Sequence, residues 1–189
     1  MEDKTNQIRL SDLPKLWLRK GMTGMLVWDH DKDGRFGYED CMGVADNIVK
    51  IGGLEGKAAD KVYEFWKNGM CGTEDSAAKF YSIPLEEQIF GLWTMVNDPE
   101  KLKPWVTTNK KLFEVLDFNS DGFISFEEYL IYWKALKLDP SLARLQFDYM
   151  DTNHNGEISE KEFVEAFTDY VVNTGDDNGN RFFGPLMEF

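Results

Sequence analysis

Three twelve-residue segments, 29–40, 117–128 and 151–162, repeat one demanding pattern. Each has an oxygen-bearing side chain at its first, third, fifth and twelfth positions, a glycine at the sixth and an apolar residue at the eighth. In order these are Asp29, Asp31, Asp33, Asp40, Gly34 and Phe36; Asp117, Asn119, Asp121, Glu128, Gly122 and Ile124; and Asp151, Asn153, Asn155, Glu162, Gly156 and Ile158. The glycine permits a sharp turn that other residues resist. The apolar residue suits a short strand through which two loops pair. Thirteen of the 34 acidic residues and three of the 21 basic ones lie in these segments, leaving 21 acids against 18 bases elsewhere. The formal charge of −13 is therefore concentrated in the loops. Carboxylates crowded this closely repel one another unless a cation sits between them.

A hard cation such as Ca2+ takes roughly six to eight oxygens, and an EF-hand loop supplies them at this spacing, with the seventh residue giving its main-chain carbonyl. The candidate ligands are thus Asp29, Asp31, Asp33, Asp40 and the carbonyl of Arg35; Asp117, Asn119, Asp121, Glu128 and the carbonyl of Phe123; and Asp151, Asn153, Asn155, Glu162 and the carbonyl of Glu157. Three Ca2+ sites are expected, and they are not equivalent. Loop 29–40 closes on Asp40, whose shorter side chain favours one oxygen over two and lowers the coordination toward octahedral geometry, which Mg2+ prefers. Mg2+ is expected to compete most at this site. Loop 151–162 has only two ligand acids and is the weakest on charge alone.

Apolar residues recur at the same places around each loop. Met25 and Trp28, Phe113 and Leu116, and Phe147 and Met150 precede them, while Cys41, Val44 and Ala45, Tyr129, Tyr132 and Trp133, and Phe163, Ala166 and Phe167 follow. Each set lies on one helical face. The repeat is a helix–loop–helix unit. Segment 60–97 has the outline of a further unit, with Lys61–Asn68 and Leu85–Val96 as its helices. Its connection, 76–83, lacks acids and the turn glycine, so it is expected to bind no metal and to serve as packing partner of the first unit. Whether Glu87 or Gln88 closes that loop is left open by the residues. The predicted fold class is all-α: a compact EF-hand domain of four helix–loop–helix units in two pairs, with short strands pairing the loops. Residues 1–98 would form the first pair, 99–172 the second, and 173–189 a C-terminal tail packed on the body. Pro99 and Pro104 are expected to break any continuous helix between the pairs, with Trp105 folded into the core.

The excess of acid excludes a nucleic-acid partner, since a phosphate backbone demands a basic surface. Nowhere in the 189 residues is there an apolar run long enough to span a membrane. The polar start, Met1 to Gln7, lacks the apolar stretch of a signal peptide. Cys41 and Cys71 read as free thiols of a reducing compartment, and a cytoplasmic location is expected.

The chain resembles the invertebrate sarcoplasmic calcium-binding proteins, with the neuronal calexcitins as close relatives. The first loop closing on Asp40, the degenerate second unit and the run from Asn173 to Leu186 carry the resemblance, which covers nearly the whole chain. It implies a compact domain of two EF-hand pairs with the tail folded against it, and a role in Ca2+ and Mg2+ buffering in muscle and neurons. Phe182, Phe183 and Leu186 also give the tail a physical reason to dock. Met187, Glu188 and Phe189 lie beyond the family's tail pattern. The acids at 176 and 177 lack a closing acid at the right distance and are not expected to form a metal site.

Three functions compete: a buffer without an obligatory protein partner, acting as a monomer; a calexcitin-type sensor that exposes an apolar surface to a target on binding Ca2+; and a luciferin-binding protein or photoprotein. The last needs buried histidines, whereas His30 and His154 occupy loop positions expected to face solvent. Eight methionines would suit a plastic target groove, but Met22, Met25 and Met150 lie at core-facing positions. No phosphate-cradling loop, nucleophile motif or zinc spacing is present, so no enzyme is expected. The buffer is preferred, because two prolines and Trp105 in the connection favour one compact body.

Overall fold

The computed structural model describes residues 9–34, 37–70, 85–175 and 177–188. The connection 76–83, Arg35 and Phe36 lie outside them. The described chain forms eight helices: α1 (Lys15–Trp28), α2 (Tyr38–Gly52), α3 (Lys57–Phe65), α4 (Leu85–Val96), α5 (Pro99–Leu116), α6 (Phe126–Ala135), α7 (Ala143–Met150) and α8 (Glu160–Val172). Two short antiparallel strands, β1 (Phe123–Ser125) and β2 (Glu157–Ser159), join the last two loops, with Ile124 opposite Ile158. The fold is the all-α architecture expected.

The helices following the loops form where the apolar spacing requires. Cys41, Val44, Ala45 and Ile48 are fully buried on one stripe of α2, and Tyr129, Tyr132 and Trp133 on α6 match Phe163, Ala166 and Phe167 on α8. One continuous core runs from Val44 and Ile48 through Trp66 and Leu116 to Tyr132, Phe167 and Phe182, so both halves of the chain share it. Met150 is buried, whereas Met22 and Met25 are half-buried against a smaller cluster of Leu13, Trp17 and Ile89.

Helix α5 corrects one expectation. Pro99 starts it behind Asp98, whose side chain accepts the Glu100 N–H at 3.1 Å, and Pro104 lies inside it without ending it. Proline at the first helical turn costs no hydrogen bond. Pro104 costs one, but the carbonyl it strands belongs to exposed Glu100, which water can satisfy. Trp105 packs onto the core as expected, its ring 6.2 Å from Phe167.

A second correction concerns the thiols. Cys41 is fully buried and disulfide-bonded. The only other cysteine of the chain, Cys71, lies outside the described residues. The inference of a reducing compartment from free thiols therefore falls.

The tail docks. Phe182 lies with its ring 5.2 Å from Phe163 and 5.5 Å from Phe167, while Phe183 meets Tyr170 at 5.3 Å and Trp28 at 5.8 Å. Phe183 comes so close to α1 that a Cβ on Gly24 would lie 3.2 Å from its ring. Fully buried Asn180 donates to the Ala166 carbonyl at 2.8 Å and to Asp169 at 2.9 Å. Met187, beyond the family pattern, is also tied down: its N–H donates to Thr23 Oγ1 at 2.9 Å and its carbonyl accepts from Arg19 at 2.6 Å. Among the described residues no helix is long and apolar enough to cross a membrane.

Candidate metal centres

Each loop begins where a helix ends and finishes in the first turn of the next. Helices α1, α5 and α7 stop at Asp29, Asp117 and Asp151, and Asp40, Glu128 and Glu162 stand at the third position of α2, α6 and α8. The glycines Gly34, Gly122 and Gly156 adopt φ of 85°, 90° and 85°, the left-handed turn that glycine alone enters freely. In all three loops the first and twelfth residues are buried, and the third and fifth are exposed. The first and twelfth side chains thus lie on the inner side of each loop, with the third and fifth toward solvent.

Backbone N–H groups hold these carboxylates in place. Asp29, Asp117 and Asp151 each accept the glycine N–H, at 3.0, 2.9 and 2.9 Å. The twelfth residue reaches back across its loop. Glu128 Oε1 accepts from Phe118 N at 2.9 Å and Oε2 from Ser125 N at 2.8 Å; Glu162 does the same with Thr152 N at 3.1 Å and Ser159 N at 2.9 Å. Ser125 and Ser159 add their hydroxyls at 2.7 and 2.8 Å. Asp40 makes the shorter version of this clamp, with His30 N at 2.6 Å and Gly37 N at 2.6 Å. Burial works to raise the Glu162 carboxyl, but hydrogen bonds from Ser159, Thr152 and Asn153 outweigh it and hold the group below its usual range.

Loop 29–40 shows most directly a place for a cation. Oxygens of Asp29, Asp31 and Asp40 lie within 4.8 Å of one another, and Asp29 Oδ1 is buried with no hydrogen-bond partner. A buried carboxylate oxygen without a donor is costly, and a hard cation fits that vacancy of donors. In the other two loops Asp117, Asn119, Asp121 and Glu128, and Asp151, Asn153, Asn155 and Glu162, face one turn and are cross-linked by the N–H groups of Asp121, Phe123, Asn155 and Glu157.

Two features escaped the sequence. The fourth residue of every loop, Lys32, Ser120 and His154, is left-handed at φ 66°, 59° and 57°, although none is a glycine. His154 is exposed, as expected, but His30 is not turned to solvent. Its Nε2 lies 2.9 Å from Asn47 Nδ2, and its ring is so close to α2 that a Cβ on Gly43 would approach it to 2.9 Å. Burial lowers the His30 pKa, and Lys137 adds to the effect. Asp177 binds Arg181 through two contacts, at 2.8 and 2.7 Å, and Asp176 lies outside the described residues.

A family model for the EF-hand domain pair matches residues 107–168, the last two loops with their helices. The sarcoplasmic calcium-binding protein of Hediste diversicolor is 30% identical over 178 residues, covering 91% of this chain and 99% of that protein. The chain belongs to the sarcoplasmic calcium-binding protein family. It is accordingly a calcium-binding EF-hand protein and not an enzyme. The luciferin-binding protein of Renilla reniformis is 26% identical over 182 residues, covering 90% of this chain and 94% of that one. Among solved structures, the coelenterazine-binding protein from Renilla muelleri, in its calcium-loaded apo form, superposes with a TM-score of 0.72 at 25% identity, over 90% of this chain and 96% of that one. The Renilla muelleri structure shares this chain's arrangement of helices over almost its full length.

Proposed function

We infer that the protein is a buffer for Ca2+ and Mg2+, taking one ion in each of loops 29–40, 117–128 and 151–162. The ions would be held by Asp29, Asp31, Asp33 and Asp40; by Asp117, Asn119, Asp121 and Glu128; by Asp151, Asn153, Asn155 and Glu162; and, by loop position, by the carbonyls of Arg35, Phe123 and Glu157. A bound cation supplies the charge that ends the repulsion among these carboxylates. The N–H clamps on the first and twelfth residues keep their oxygens aimed inward beforehand, so little ordering remains for the moment of binding. Asp40 makes loop 29–40 the site where Mg2+ competes best.

The observation that favours a buffer over a sensor is the docked tail. Phe182 and Phe183 fill apolar space against α1 and α8 that a sensor would offer to a target. No obligatory protein partner is needed for buffering, and a monomer is proposed. The name of the Hediste relative favours the cytoplasm. A disulfide at Cys41 is unusual there, and alkylation with mass spectrometry of protein from its native tissue decides whether it persists. Titration calorimetry with and without Mg2+, alongside binding of a hydrophobic dye, tests the function. Three sites and strong Mg2+ competition with little change in dye signal support the buffer. A large Ca2+-dependent rise in dye binding with little Mg2+ competition selects the sensor.

Chromophore binding is a second candidate, favoured by the likeness to the Renilla proteins and by the half-buried His30. Against it, the His30 ring is already held between Asn47 and Gly43. Equilibrium dialysis with coelenterazine separates the two functions.

A further inference from the structure

The helices carrying the twelfth-position carboxylates of loops 29–40 and 117–128 touch each other. Helix α2 begins at the Asp40 clamp, α6 begins at the Glu128 clamp, and among the described residues the two form the most extensive helix–helix contact. At the far end of α6 the Ala135 carbonyl accepts from Asn47 Nδ2 at 3.1 Å, and the same Nδ2 lies 2.9 Å from His30 Nε2. Two residues on, Lys137 donates to the His30 carbonyl at 3.0 Å. His30 is the second residue of loop 29–40, and its N–H is one of the donors that hold Asp40. The loop is thus held on its outer side by the end of a helix whose beginning belongs to another metal loop. A ten-residue helix is stiff over that length, so a tilt at Glu128 is delivered at Ala135.

We propose that Asn47 and Lys137 are positioning residues that couple the first metal loop to the C-terminal pair, so that an ion in loop 117–128 raises the affinity of loop 29–40 and the reverse. The coupling deepens the assignment of loop 29–40 as a metal site and rests on it. An ion held by Glu128 would fix the start of α6 and with it Ala135 and Lys137, which keep His30 placed with its N–H on Asp40. Neither Asn47 nor Lys137 is a ligand, and Lys137 is exposed while Asn47 is half-buried, so both can be replaced without opening the core.

Spatial adjacency alone does not establish coupling; a thermodynamic cycle does. The total Ca2+ binding free energy of the full chain is compared with the sum for two disabled forms, Glu128→Gln with Glu162→Gln, and Asp29→Asn with Asp40→Asn. The ratio expressed as a coupling factor is expected to be on the order of 10-fold. In the Asn47→Ala, Lys137→Met background it should fall to within about twofold of unity, with Lys137→Arg restoring part of it. Circular dichroism confirms that each variant is folded. A parent factor near unity, or a factor undiminished in the double variant, overturns the coupling. A form with both C-terminal sites disabled that binds no Ca2+ under saturating conditions refutes the assignment of loop 29–40 itself, and the two failures are thereby told apart.

Discussion

Loops 117–128 and 151–162 close onto each other, whereas loop 29–40 is tied through His30 to Asn47 on α2 and to Lys137 just beyond α6. The first two share Ile124 and Ile158 across a strand pair and clamp their final glutamates with a serine as well as backbone N–H groups. Loop 29–40 has Gly37 where they have serine, and Asp40 where they have glutamate, and its outer residue His30 is held by Asn47 and Lys137. The same ligand pattern is therefore made rigid in two ways, by a sister loop in one case and by helix packing in the other. The spacing of oxygen-bearing side chains is common to all three loops; the surroundings set how firmly those oxygens are held.

The largest test removes the sister-loop support. Ile158 is fully buried opposite Ile124, so Ile158→Ala should cost about 2–5 kcal/mol of stability in urea unfolding without metal. Ca2+ affinity should fall at 117–128 and 151–162 more than at 29–40; an equal fall at all three breaks the comparison.

Removing a charged ligand comes next. Glu128→Gln takes away an ionic partner contributing about 1.5–3 kcal/mol, an affinity loss on the order of 10- to 100-fold at that loop. Calorimetric stoichiometry should drop by one site, and Asp40→Asn should do the same for the first loop. A smaller step is Asp40→Glu, which lengthens the closing side chain without changing charge. The Ca2+ over Mg2+ preference of loop 29–40 should rise on the order of 10-fold in competition titrations. No change in that ratio removes Asp40 as the source of Mg2+ competition.

What could be read in the sequence was local or periodic. The ligand spacing, the turn glycines, the Ile124–Ile158 pairing and the burial of Phe182 and Phe183 all follow from short-range pattern and apolarity. What could not be read depends on where distant parts of the chain meet. His30 sits at a loop position that faces solvent unless another element covers it, and the cover is Asn47 from α2 and Lys137 from beyond α6. Pro104 reads as a helix breaker, yet its cost depends on whether water reaches the Glu100 carbonyl. Cys41 carried no local sign of its disulfide. Only the folded tail brings Asn180 to Asp169 and Ala166.

The smallest effect sharpens which half the tail belongs to. Asp177, two residues before the glycine of the turn, is held down to about 2 by hydrogen bonds from Arg181 and Gly179, the Arg181 contacts being the larger. A carboxyl lowered on folding contributes stability above its ordinary value, 3.8, and loses it as the pH falls through about 2. The pair is part-exposed, at 32% and 40% of the two side chains, so after solvent screening its contribution is at most about 1 kcal/mol. Asp177→Asn should therefore lower metal-free stability slightly at pH 5, and the difference from the parent should shrink toward pH 2 and in high salt. The tail turn is tied to α7 and α8 through Gln146, Ala166 and Asp169, so the same substitution should perturb Ca2+ binding at 151–162 before it reaches 29–40. Equal perturbation of both would mean that the tail, through Met187 on α1, supports the first loop as much as the last.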